Sequence, residues 1–294
     1  ITHVTAAGNA LSISGTANHI TFKNVIVDDG GFGVSYGLNT PAYVTIDRVK
    51  FLNGGAWVYG SEYVSITNSE FYGANSVYIY GSESQVNNHV RDIVIRNNKL
   101  LLSGGAADTY DIFRLKDVQT SIIDGNYIED ANPNQVLAVK IFQTKLTNFT
   151  NNIIKTKTGS FTGGSYAAIR LRSSTSDNYF YNNTFIALIG GAEAIGVDID
   201  ASNMCCDANG NLGSPCSSPP VGFTNPCWDR RNIFDSNTII SDGKGFNIAD
   251  MGVNNIFKNN LVIGNDAGIH AGCACEGSEY YYNNVFVSDS GNAF

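Results

Sequence analysis

The sequence predicts an all-β protein, a right-handed parallel β-helix of roughly ten to eleven coils. Three observations carry that expectation: one short phrase recurs along the chain, most copies stand about one solenoid coil apart, and apolar residues alternate with a period of two instead of a helical period.

The phrase reads apolar, any, polar, Asn, any, apolar. Its copies are IRNNKL (95–100), IDGNYI (123–128), FTNNII (149–154), FYNNTF (180–185), FDSNTI (234–239), FKNNLV (257–262) and YYNNVF (281–286). Weaker copies, TIDRVKF and SITNSEF, end at Phe51 and Phe71, and FKNVI near the start is one residue shorter. The fourth position then holds Asn24, Val49, Ser69, Asn98, Asn126, Asn152, Asn183, Asn237, Asn260 and Asn284. Asn suits a bend between strands because it tolerates left-handed backbone and can bond the same amide in the neighbouring coil, which predicts an Asn ladder.

Most intervals between copies are 20 to 31 residues, too short for a propeller blade and without the Leu rhythm of leucine-rich repeats. A second alternating segment precedes each phrase: AWVYGS, SVYIYGS, DIFRLKD, LAVKIFQ, AAIRLRS, IGVDIDA, GFNIADM and GIHAGCA. Two or more short strands per coil follow. Each coil has an apolar strip that it cannot bury alone, so stacking at about 4.8 Å per coil builds one continuous core.

One interval departs from this rule. Asn183 and Asn237 stand 54 residues apart, and the excess matches residues 201–227, a Cys-rich loop insertion in an otherwise single domain spanning 1–294. Residues 83–92 make a smaller excursion. Four cysteines, Cys205, Cys206, Cys216 and Cys227, crowd the insertion, and Cys273 and Cys275 follow as CAC. An even number concentrated in a Gly/Pro/Ser-rich loop reads as disulfides of unspecified pairing in an oxidising compartment, whereas zinc favours spaced CxxC pairs.

The remaining composition narrows the function classes. A net charge of −8 and a pI near 4.9 argue against nucleic acid, whose binders concentrate Lys and Arg. No apolar run is long enough to span a membrane as a helix, and an extracellular or cell-surface location is expected. The chain begins and stops close to its first and last coils, and solenoid ends need cover. Other copies of the chain or flanking segments are therefore expected partners at both ends, as in a head-to-tail fibre.

The phrases resemble the pectate-lyase-like superfamily of right-handed parallel β-helix proteins, over essentially the whole chain. Members include lyases, glycoside hydrolases, epimerases, phage tailspikes and surface adhesins, so the resemblance implies a polysaccharide partner without choosing a reaction. The alginate lyase and chondroitinase B family places a Lys and an Arg where this chain holds Gln143 and Ser173. Lys140 and Arg172 lie nearby, out of register. The paired Asp signatures of polygalacturonases and the Asp-His phrase of alginate epimerases are missing.

If the apolar members of the second segment point inward, the residues between them form an outward column: Tyr78, Arg114, Lys140, Arg170, Asp198, Asn247 and His270. A neighbouring column holds Tyr59, Tyr80, Lys116, Phe142, Arg172 and Asp200. Aromatics at one end, cations at the centre and carboxylates beyond them suit an acidic polysaccharide. In a lyase, Lys140 would take the proton beside a uronate carboxyl while Arg170 and Arg172 stabilise the enediolate. The competing structural reading has Asp198 and Asp200 neutralising Arg170 and Arg172 across adjacent coils.

Smaller signals stand beside these. DANGNLG (207–213) has the spacing of a calcium loop but one carboxylate and no Glu at the twelfth position, which reads as a turn, so no cofactor is expected. Asn148 in NFT and Asn182 in NNT are glycosylation sequons, with Asn148 expected to face solvent.

Overall fold

The computed structural model of the chain describes residues 2–14, 19–73, 77–81, 90–102, 112–130, 137–156, 166–172, 175–188, 194–200, 204–206, 212–215, 225–226, 229–250, 252–271 and 280–288. Every regular element among them is a β-strand, and 25 strands join in one hydrogen-bonded sheet wound into a right-handed parallel β-helix.

Each full coil contributes to three faces. The first stacks Ile20–Lys23, 44–47, 64–67, Val94–Arg96, Ile122–Asp124, Asn148–Thr150, Tyr179–Tyr181, Ile233–Asp235, Ile256–Lys258 and Tyr280–Tyr282 in parallel. The second runs from 2–5 through Lys50–Leu52, Tyr127–Asp130 and Thr184–Ala187 to Val285–Ser288. The third runs from 11–14 through Val77–Tyr80, Phe113–Lys116 and 169–172 to 269–271. The expectation of at least two strands per coil is thereby met with three.

Period-two alternation turns alternate residues inward, and parallel stacking sets like on like. Phe149, Phe180, Phe234, Phe257 and Tyr281 stack along the first face with successive ring centroids 4.7, 4.5, 5.2 and 5.3 Å apart. On the second face Phe51 lies 4.7 Å from Phe71. The four phenylalanines of the long stack are fully buried, and an aromatic pair in such geometry contributes ~0.5–1.5 kcal/mol beyond its burial.

The ladder at the corner between the first and second faces runs from Val49, whose amide donates to Ser69 Oγ at 3.1 Å, to Asn284. Backbone amides of Ser69, Asn98, Asn126, Asn152, Asn183, Asn237 and Asn260 each donate to the side-chain oxygen of the next Asn at 2.8–3.0 Å. The Asn side-chain amides donate to the same oxygens and to a carbonyl of the preceding coil, as Asn126 does to Asn152 Oδ1 at 2.9 Å and to Ile95 O at 2.8 Å.

Two details differ from the sequence expectation. The left-handed residue is the one before the ladder Asn: Asn97, Asn151, Asn182 and Asn259 have φ of 54°, 56°, 54° and 57°. Bending and laddering are thus divided between neighbours. Asn24, counted above as a ladder member, has φ 57° and its amide donates to Asp47 O, as the amide of Arg48 does to Thr67 O. It belongs to the bend, one position before Val25, which is why FKNVI looked short.

A second ladder stands five residues upstream of the first. Ile93 N donates to Ser121 Oγ at 3.1 Å, Thr147 N to Asn178 Oδ1 at 3.0 Å, Asn178 N to Asn232 Oδ1 at 3.2 Å and Asn232 N to Asn255 Oδ1 at 2.9 Å.

Beyond the coils, Met204–Cys206 pairs antiparallel with Leu212–Pro215 and with Asn225–Pro226. The side chains of Cys205 and Cys206, and all of Cys216, Cys227, Cys273 and Cys275, lie outside the described residues, as does most of the DANGNLG turn.

Candidate functional site

The third face carries the two outward columns. Gly33, Trp57, Tyr78, Arg114, Lys140, Arg170, Asp198, Asn247 and His270 succeed one another rung by rung, and beside them run Ser35, Tyr59, Tyr80, Lys116, Phe142 and Arg172. What holds them outward is the buried set between them, including Val34, Val58, Ile79, Leu115, Ile141, Leu171, Ile199 and Ile248. Asp200 is in a strand of this face, with its side chain, like that of His270, outside the described residues.

The cations are not equivalent. Arg170 Nε donates to Asp198 Oδ2 at 2.5 Å, and Asn247 Nδ2 donates to Asp198 Oδ1 at 2.7 Å, in a site where Asp198 is 2% exposed. Arg170 and Asp198 are committed to each other. The guanidinium of Arg114 lies 4.9 Å from the Tyr78 ring centroid. Lys140 Nζ, from two residues earlier on the same strand, and Lys116 Nζ, from the register partner on the preceding coil, lie 4.6 and 5.7 Å from the Phe142 ring centroid. Burial lowers the Lys116 ammonium below its ordinary value, and the neighbouring Asp117 carboxylate opposes the shift only in part. Lys140 is 8% exposed, so its charge forms part of a floor instead of a free arm.

Toward the N-terminal end the same columns open into a cleft of about 300 Å³ lined by Ser12, Gly33, Val34, Ser35, Trp57, Tyr59 and Tyr80. Its cause is local: Gly33 and Ser35 sit in register above Trp57 and Tyr59, so the upper coil lacks the bulk that the lower coil presents. Tyr59 and Tyr80 meet edge to face with centroids 5.1 Å apart. Trp57 was absent from the residues singled out in the sequence, although its register with Tyr78 follows from the same alternation that assigned the column.

The remaining sequence candidates divide. Gln143, at the place where the lyase resemblance expects Lys, has φ 47° and occupies a corner after the strand, not the face. Asn148 is solvent-exposed in its strand, whereas the side-chain amide of Asn182 donates to Asn151 Oδ1 at 2.8 Å. Among the described residues no three His, Cys, Asp or Glu side chains gather as a metal site, and no helix is long and apolar enough to cross a membrane.

No protein-family model and no curated protein sequence matches the chain. Solved structures do. The periplasmic alginate epimerase AlgG, in a point-mutant form, superposes with a TM-score of 0.58 at 11% identity, over 97% of this chain and 72% of that one. The A-module of the mannuronan C-5 epimerase AlgE6 from Azotobacter vinelandii gives 0.52 at 14% identity, over 96% and 82%. The surface protein and adhesin PfbA of Streptococcus pneumoniae gives 0.47 at 9% identity, over 97% and 89%. The two epimerase structures thus share with this chain the fold described above, a parallel β-helix.

Proposed function

We propose that the third face is a binding floor for an acidic polysaccharide lying along the solenoid axis, and that the protein works outside the cytoplasm, at or beyond the cell surface. The observation that carries this reading is the register that aligns Arg114 with Lys140, and Lys116 with Phe142 and Arg172, beside an aromatic cleft. Guanidinium and ammonium groups held on consecutive coils pair with carboxylate or sulfate at a repeat set by the coil spacing, and their partial burial strengthens each contact. That AlgG is an alginate epimerase and AlgE6 a mannuronan C-5 epimerase, both with this fold, supports a uronate-bearing ligand.

Calorimetry with polygalacturonate and alginate oligosaccharides tests the proposal. Salt-sensitive binding is expected, weakened at least tenfold by Arg114→Ala with Arg172→Ala and unchanged by Lys23→Ala with Lys258→Ala on the first face. Absence of binding to any acidic oligosaccharide removes the reading.

One observation favours a second reading, β-elimination: the lowered ammonium of Lys116 suits a base. Lys116, as the neutral amine, would take the proton alpha to a uronate carboxyl, that electron pair would form the ring double bond, and the glycosidic C–O bond would break as the Lys116 ammonium returns the proton to the leaving oxygen. Ultraviolet absorbance from an unsaturated sugar, lost in Lys116→Met, is the readout.

A further inference from the structure

The cleft at the N-terminal end of the columns differs in chemistry from the cationic centre, although the two are continuous. Among the described residues its lining holds no Lys, Arg, Asp or Glu: two serine hydroxyls, from Ser12 and Ser35, accompany three aromatic side chains, Trp57, Tyr59 and Tyr80. Uronate or sulfate placed there would lose water without gaining a counter-charge, which disfavours an anionic sugar at this position. An uncharged pyranose has the opposite balance. Its C–H face is apolar and covers an aromatic ring, while its hydroxyls require the few polar groups that a carbohydrate pocket supplies.

The geometry fits such a ring. Gly33 leaves open the space directly over Trp57, and Ser35 does the same over Tyr59. The edge-to-face pair of Tyr59 and Tyr80, 5.1 Å between centroids, makes a corner with two walls. The cleft volume of about 300 Å³ lies at the lower end of the range for small-molecule sites. From the rung of Trp57 the column continues through Tyr78 to Arg114, two rungs or ~10 Å away at the usual strand spacing, while in the neighbouring column Lys116 stands one rung beyond Tyr80 at the edge of the cleft.

We infer that the cleft is a subsite for an uncharged sugar, so that the preferred ligand is a heteropolysaccharide in which neutral or acetamido sugars accompany the acidic ones, not a pure polyuronate. This inference rests on the polysaccharide-binding reading of the third face and sharpens it. The Trp57 indole reports occupancy of the cleft, and the aromatic and cationic halves can be removed separately.

The test is calorimetry and tryptophan fluorescence on the full chain with three probes: a galacturonate hexamer, a hyaluronan hexamer in which acetamido sugars alternate with uronates, and cellohexaose. The expected result is that the hyaluronan hexamer binds at least tenfold more tightly than the galacturonate hexamer and shifts the fluorescence. Tyr59→Ala and Trp57→Ala should each abolish the preference by weakening the hyaluronan hexamer at least tenfold more than the galacturonate hexamer. Arg114→Ala with Arg172→Ala should weaken both acidic hexamers and spare any cellohexaose binding at the cleft. Equal or tighter binding of the galacturonate hexamer, unaltered by Trp57→Ala, overturns the neutral subsite and leaves the acidic floor standing. Failure of both acidic hexamers to bind a chain with native circular dichroism overturns the floor and the subsite together.

Discussion

Arg170 and Asp198 sit on neighbouring coils of the third face with Nε and Oδ2 2.5 Å apart, and the pair is nearly dry: their side chains are 15% and 2% exposed. Asn247 satisfies the second carboxylate oxygen from the following coil, at 2.7 Å. Three coils are thereby tied by one carboxylate. The pair fixes the end of the cationic column and takes Arg170 out of the set that can meet a ligand directly.

The first prediction follows from that burial. Asp198→Ala leaves a guanidinium without its counter-charge in a closed site, and the expected loss is about 3–5 kcal/mol in urea unfolding. Replacing both partners, Arg170→Met with Asp198→Leu, should recover most of it. A loss near 0.5 kcal/mol for the single variant, roughly what a solvated pair gives, would show that water reaches the site.

The corner geometry separates two roles that Asn can play. Asn152 accepts from the backbone and side-chain amides of Asn126 and donates to Ile123 O and Asn183 Oδ1, all within a buried site. Asn152→Ala should therefore cost about 3 kcal/mol through the groups it leaves unpaired. Its neighbour Asn151 supplies left-handed backbone at φ 56° and is exposed, so Asn151→Gly should cost less than about 1 kcal/mol, most of that from its solvated bonds to Asp124 and Asn182. Paired urea titrations of the two variants check the division, and equal losses would contradict it.

That division also explains what could be read from sequence. Asn98, Asn152, Asn183 and their equivalents repeat because every coil must present the same groups at the same place, so a single chain shows the ladder without any relatives. Asn24 was misplaced because Asn satisfies both the bend and the ladder, and residue type alone does not distinguish them. The second ladder escaped notice because Ser121, Thr147, Asn178, Asn232 and Asn255 provide its oxygens with three different residue types. The signal available was their constant offset of five residues from the first ladder. The outward columns were legible because alternation and phrase spacing fix the register. The cleft was not, since it arises from what Gly33 and Ser35 lack.

Stability against acid should depend on corner carboxylates. Asn68 donates to Asp47, which burial opposes while Lys23, Arg48 and Thr67 assist, and the net effect lowers its pKa. At Asp124 and Asp235 burial pulls the carboxyl upward, but it is outweighed by Thr150, Asn151 and Arg96 in one case and by Asn259, Ser236, Tyr179 and Lys258 in the other. A carboxyl whose folded pKa lies below its unfolded value near 3.8 binds fewer protons when folded. Its stabilisation is complete above that value and disappears as pH falls through the lowered folded one. Unfolding midpoints should be flat near neutral pH and fall below about pH 4, with a shallower fall in Asp124→Asn. An unchanged acid slope in that variant would assign the effect elsewhere.

The alkaline side has the reverse sign. Tyr127, bonded to Glu129, and Tyr179, desolvated and bonded to Asp235, are each pushed up to about 12. Both phenols should stay protonated above the ordinary phenol value of 10.0, and their contribution to stability should persist below pH 10 and decline as pH rises toward 12. Spectrophotometric titration of Tyr127→Phe and Tyr179→Phe should each remove one late-titrating phenol.

The placement of the polysaccharide on the third face is tested most directly by side-chain footprinting with and without a bound acidic oligosaccharide. Lysine acylation and arginine modification, read by mass spectrometry, should show protection at Arg114, Lys116 and Arg172. Lys23 and Lys258 on the first face, and Lys50 and Lys155 on the second, should react as before. Protection concentrated on those other lysines, or bound oligosaccharide that protects none of the third-face cations, would contradict the account.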